Sequence, residues 1–123
     1  MKILTVDDTK TMREMIRDTL SQNGYEVIEA YDGKDGILKL LNTRVDLIIT
    51  DLHMPNIDGI EFLRRVRKSF VHKHTPVVML TTESQKAKVL EAVSLGINGW
   101  ILKPFTPEQL LEKVQKVLSN GSV

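Results

Sequence analysis

Five times in succession, a short apolar run rich in β-branched residues gives way to a longer segment with helical spacing. The runs are Ile3 to Val6, Tyr25 to Ala30, Leu47 to Ile49, Val77 to Leu80 and Trp100 to Leu102. Each is too short for a helix and reads as a buried strand. After the first run, Met12, Met15, Ile16 and Leu20 recur on one helical face. Ile37, Leu38, Leu40 and Leu41 repeat the pattern, then Ile60, Leu63 and Val66. From Ser84 to Leu95 the expected buried side is Ala87, Leu90 and Val93 or Leu95. The last helix carries Leu110, Leu111, Val114, Val117 and Leu118, with a frayed tail from Ser119 to Val123. Asn23-Gly24 stops the first helix, Asp32-Gly33 is a turn signal, and Thr106 with Gln109 has capping-box spacing ahead of the fifth. This (βα)5 alternation predicts an α/β fold: a doubly wound, five-stranded parallel sheet covered by helices on both faces. Right-handed crossovers favour the flavodoxin-like order 2-1-3-4-5.

In that order strands 1 and 3 are neighbours, and the crevice for ligand chemistry opens at their carboxyl ends. Strand 1 delivers Asp7 and Asp8 there, and strand 3 delivers Asp51. Strand 4 ends in Thr81-Thr82, and strand 5 in Lys103-Pro104. Taken singly, each has an ordinary reading: a cap or turn residue for an Asp, a satisfied hydroxyl for Thr81, a surface amine for Lys103. Together they place three carboxylates, a hydroxyl and an ammonium at one edge. Close carboxylates repel, and a hard cation such as Mg²⁺ relieves the repulsion. An aspartate in such a site can act as a nucleophile toward phosphorus, with Lys103 and Thr81 contacting phosphoryl oxygens.

Other chemistries fit less well. The 123 residues contain no cysteine, which removes disulfides and thiolate metal sites. His72, Lys73 and His74 read as a solvated surface loop, without the acid or third ligand that a metal needs. A net charge of +1 favours neither nucleic acid nor an anionic membrane. No apolar run approaches the roughly 20 residues of a membrane span, and acid follows Met1 too soon for a signal peptide. A cytoplasmic location is therefore expected.

The motifs Val6-Asp7-Asp8, Asp51 through Gly59, Thr81 and Lys103-Pro104-Phe105 resemble those of two-component response regulator receiver domains. The likeness spans residues 1–123 as a single receiver domain with no effector domain, and is strongest to the stand-alone, CheY-like chemotaxis type. It implies that Asp51 accepts a phosphoryl group from a phosphohistidine on a histidine kinase, which for this type is CheA-like. It implies that Asp8, Asp51 and the backbone carbonyl of His53 ligate Mg²⁺, with Asp7 acting through a water. Lys103 would contact the phosphoryl group, and the Lys103-Pro104 peptide would be cis. Thr81 and Trp100 would be the switch residues, both turning inward on phosphorylation. Trp stands where the best-known relatives have Tyr or Phe. His53, with Glu83, stands where it could tune the approach of water to the acyl phosphate.

Read this way, the chain is a signalling protein rather than an enzyme, although it assists its own phosphorylation and dephosphorylation. It is expected to be a monomer. Its output would be protein binding through helix 4, strand 5 and helix 5, with Lys86, Lys88, Glu91, Trp100 and Lys113 contributing. The expected target is a flagellar motor switch protein or another protein, with a phosphatase as a possible further partner. The alternative is a single-domain phosphorelay intermediate or phosphate sink. Dehalogenase-type phosphatases want a second acid where His53 stands, and Asp7-Asp8 would repel a flavin phosphate.

Overall fold

The computed structural model describes residues 1–121, and within them the side chains of all but Glu83 and Asn120. The strands are β1 (Lys2–Val6), β2 (Glu26–Ala30), β3 (Leu47–Asp51), β4 (Val77–Thr81) and β5 (Gly99–Leu102). The helices are α1 (Lys10–Ser21), α2 (Gly33–Asn42), α3 (Gly59–Lys68), α4 (Lys86–Ser94) and α5 (Pro107–Gly121), with a 3-10 turn at Glu83–Gln85. All strand pairs are parallel and the order is β2-β1-β3-β4-β5, as the alternation predicts.

The sheet is apolar on both faces because both are covered. Along β3, Leu47 and Ile49 turn to one side and Ile48 to the other, the two-residue period of a strand. On the first side they meet Ile16 and Leu20 of α1 and Leu110, Val114 and Val117 of α5. On the second, Leu4, Val6, Ile48 and Met79 meet Phe62, Leu63 and Val66 of α3 and Ala92 of α4. Phe62 is wholly buried, and truncating such a ring to alanine typically costs about 3–5 kcal/mol.

Helix starts are fixed by local polar chemistry. Asp32 and Asp58 cap α2 and α3 by accepting from the N–H groups of Asp35 (2.8 Å) and Glu61 (2.9 Å). The expected capping box of α5 is present: Thr106 N–H donates to Gln109 at 2.9 Å, and Gln109 N–H to Thr106 Oγ1 at 3.1 Å. Gly24 ends α1 with φ +89°, a conformation that disfavours any Cβ.

Four local expectations are corrected. His72 is 1% exposed rather than solvated. Its Nε2 accepts from Val45 N–H at 3.3 Å, which ties the loop after α3 to the start of β3. The buried side of α4 is Ala92, with Val89 and Leu95 partly covered, whereas Ala87, Leu90 and Val93 are exposed. Two apolar stripes run along this segment, Ala87-Leu90-Val93 and Val89-Ala92-Leu95, and helical spacing alone does not say which one meets the sheet. On α2, Ile37 and Leu40 pack on the core while Leu38 and Leu41 stay exposed. Finally, α5 runs on through Ser119 to Gly121 instead of fraying, and Ser122 and Val123 lie outside the described residues.

Candidate functional site

The sheet register gathers the strand ends. Val6 lies opposite Thr50, so the next residues, Asp7 and Asp51, emerge side by side from β1 and β3. Asp51 lies opposite Leu80, which sets Thr81 one step further along β4. Thr81 in turn faces Leu102, and Lys103 N–H donates to the Thr81 carbonyl at 2.6 Å. Asp7, Asp8, Asp51, Thr81 and Lys103 therefore share one edge.

Ligand atoms of Asp7, Asp8 and Asp51 all lie within 4.8 Å of one another. Lys103 Nζ donates to Asp51 Oδ2 at 2.9 Å and stands 4.0 Å from Asp7 Oδ2. Asp7 is fully buried, Asp51 is 7% exposed and Thr81 1%, while Asp8 faces solvent. Asp7 Oδ1 accepts from Thr9 N–H at 2.8 Å, but Oδ2 is buried without a hydrogen-bond partner. Burial is the largest cause holding the Asp7 carboxyl above its ordinary value. The neighbouring Asp51 and Asp8 charges push the same way, against the Thr9 N–H and the Lys103 ammonium.

One ammonium does not balance three close carboxylates. The donor set is all oxygen, and one buried oxygen lacks a partner. Such a set suits a hard divalent cation and not a soft metal. His53 lies exposed on the loop after β3. The Glu83 side chain lies outside the described residues.

The loop from Asp51 to α3 is held firmly. Asn56 adopts φ +70°, and its Nδ2 donates to Asp32 Oδ2 at 3.0 Å. At Gly59 a Cβ would stand 2.5 Å from the Asp51 carbonyl oxygen and 2.8 Å from Leu52 Cα. Arg13 Nη1 donates to the Asp7 carbonyl at 2.6 Å. The supporting roles of Asp32, Asn56 and Arg13 are not readable from the sequence. Asp32-Gly33 signals only a turn there, and the partner is 24 residues away. The Lys103-Pro104 peptide is cis.

Trp100 lies opposite Met79 and is 48% exposed. It lines a groove of about 460 Å³ with Leu102, Pro104, Glu112, Lys113 and Lys116. Leu90, Val93 and Leu102 are also exposed on α4 and β5.

Comparison with known proteins agrees with this geometry. The response regulator receiver domain family model matches residues 3–115. Chemotaxis protein CheY1 of Helicobacter pylori is 45% identical over 123 residues, covering 98% of this chain and 99% of that protein. Chemotaxis protein CheY of Pseudomonas aeruginosa is 42% identical over 121 residues, covering 98% of each. The structure of the chemotaxis response regulator CheY4 of Vibrio cholerae superposes with a TM-score of 0.90 at 44% identity. That match covers 94% of this chain and 97% of that one.

Proposed function

The chain belongs to the response regulator receiver domain family, and on that premise we propose that Asp51 is its phosphoacceptor in a chemotaxis pathway. The observation that carries this is the contact of Lys103 Nζ with Asp51 Oδ2 at 2.9 Å inside the group of three carboxylates. An Asp51 carboxylate oxygen attacks the phosphorus of a phosphohistidine. The new O–P bond forms as the N–P bond breaks, and the electron pair stays on the imidazole nitrogen, which takes a proton. Asp8, Asp51 and the His53 carbonyl would hold Mg²⁺, with Asp7 acting through a water. When bound, the ion supplies positive charge beside the phosphoryl oxygens. Lys103 exchanges part of its pairing with Asp51 for a phosphoryl oxygen, and the Thr81 hydroxyl donates to another. Positioning and charge are most of what phosphoryl transfer asks of a protein.

The phosphorylated state is read by a protein partner at the surface of α4, β5 and α5. The half-exposed Trp100, the exposed Leu90 and Leu102, and the groove flanked by Lys113 and Lys116 support that reading. Aromatic side chains such as Trp are favoured interface anchors. Drawing Thr81 and Trp100 inward changes this face, and a partner shifts the equilibrium only by its differential affinity for the two arrangements. The similar proteins are named for chemotaxis, and in that setting we take a histidine kinase as the donor and a flagellar motor switch protein as the target. On this reading the protein is a cytoplasmic, monomeric receiver.

Trp100 is the only tryptophan, so its fluorescence reports on the site directly. Mg²⁺ should change that emission, and acetyl phosphate should change it further only when Mg²⁺ is present. A phosphoryl-dependent change of equal size in excess EDTA would sink the reading.

A further inference from the structure

A second surface lies at the opposite end of the sheet from Asp51, where α2 and α3 finish. Leu38 and Leu41 of α2 are 58% and 75% exposed, and Phe70 and Val71, just after α3, are 97% and 51% exposed. Beneath them, Ile37, Leu40 and Val66 help to line a groove of about 460 Å³ whose other walls include Arg65, Lys68 and Phe70. The neighbouring His72 is buried while Phe70 is almost wholly in water, the reverse of what hydropathy favours. This display is built. His72 N–H donates to Ser69 Oγ at 3.2 Å, and Thr75 N–H to the His72 carbonyl at 3.1 Å. Arg67 Nη1 donates to the Thr75 carbonyl at 2.7 Å, and Val45 N–H donates to His72 Nε2. The loop is pinned from inside, with its aromatic residue facing outward.

The rim is basic. Arg65 is paired with Glu61, but Lys68 and Arg44 have no ion pair among the described residues. Arg44 lies close enough to His72 to help lower its pKa. A two-fold contact with a second copy would set these cations against themselves, which disfavours self-association. A planar lipid surface would leave the concave floor of Ile37, Leu40 and Val66 unfilled. A helix ridge fills such a groove.

We propose that this groove docks an acidic amphipathic helix of a partner protein, independently of Asp51 phosphorylation. Its apolar ridge seats between Leu41 and Phe70, and its flanking carboxylates meet Lys68 and Arg44.

The probe is a synthetic helix with leucines spaced three and four apart and glutamates on both flanks, titrated into ¹⁵N-labelled protein by NMR. Amide shifts should centre on Leu38, Leu41, Phe70 and Val71, with and without Mg²⁺ and beryllofluoride. A lysine-flanked version should bind at least about tenfold more weakly, because like charges then meet. The double variant F70S and L41S should also bind at least about tenfold more weakly, since burying such side chains is worth that much. Both positions are exposed, so the variant should keep the parental melting temperature. Equal binding of both peptides, or shifts confined to Trp100 and α5, would overturn the proposal. So would sedimentation showing self-association that F70S abolishes, or preference for anionic vesicles over the peptide.

Discussion

Replacing Asp7 with Asn should make the metal-free protein more stable at neutral pH. Asp7 is fully buried, its Oδ2 has no hydrogen-bond partner, and two other carboxylates stand within 4.8 Å. Asparagine keeps the oxygen that accepts from Thr9 N–H but removes the charge. An uncompensated buried polar oxygen costs about 1–3 kcal/mol. The lost attraction to Lys103 offsets little, since that amine lies 4.0 Å from Asp7 and only 2.9 Å from Asp51. An unfolding entropy of about 2.1 cal/mol/K per residue over 123 residues gives about 0.26 kcal/mol/K. The expected gain in EDTA at pH 7.5 is therefore about 4–12 °C in melting temperature. The sign with pH follows from linkage. The folded pKa of Asp7 is raised, so the folded state binds the proton more readily and the cost of Asp7 appears as pH rises from the ordinary value of 3.8 through the folded one. The gain from Asp7→Asn should therefore grow as pH rises above 3.8 and shrink in acid. Saturating Mg²⁺ should narrow the gap, because a ligand of the folded state stabilises the parent more than a variant that has lost charge. Calorimetry in EDTA and in Mg²⁺ reads all of this. A lower melting temperature for the variant in EDTA at pH 7.5 would refute the reasoning.

Lys103→Ala should slow phosphoryl acceptance roughly tenfold to a hundredfold, the usual effect of losing one donor to a developing charge. It should also tighten Mg²⁺ binding, because a cation leaves the site; stopped-flow fluorescence and calorimetric titration separate the two. Gly59→Ala should lower the melting temperature by about 4–12 °C, since the new Cβ meets backbone that cannot swing away, an overpacking cost of about 1–3 kcal/mol. His72 is held neutral by burial, with the Arg44 charge acting the same way, so its folded pKa lies below 6.5. The unfolded chain then binds the proton more readily, and stability should fall as pH drops through 6.5. His72→Gln, which keeps an acceptor for Val45 N–H, should flatten that part of the pH profile in urea melts.

Strand order and the membership of the acidic edge were legible because both follow from position. The alternation of β-branched runs with helical periods sets the topology, and the residue after each run falls at the carboxyl edge. Thr81 and Lys103 could be placed there without any knowledge of side-chain geometry. What stayed hidden depends on contacts remote in sequence. His72 is polar in a polar loop, and only the Val45 N–H, 27 residues away, explains its burial. The Asp32–Asn56 bond is equally silent, because a capping aspartate looks the same whether or not its second oxygen is used. Helix faces misled where the surface is apolar. Leu38, Leu41 and Leu90 fit the periodic pattern yet face water, and periodicity cannot tell a core stripe from an interaction surface.

The central claim is that Asp51 carries the phosphoryl group. Intact mass measured after incubation with Mg²⁺ and acetyl phosphate tests it most directly, with Asp51→Asn run alongside. The account predicts one added phosphoryl on the parent and none on the variant, with beryllofluoride as a stable substitute should the acyl phosphate hydrolyse quickly. An equal adduct on Asp51→Asn, or a parent that takes up neither phosphoryl nor beryllofluoride, would contradict it.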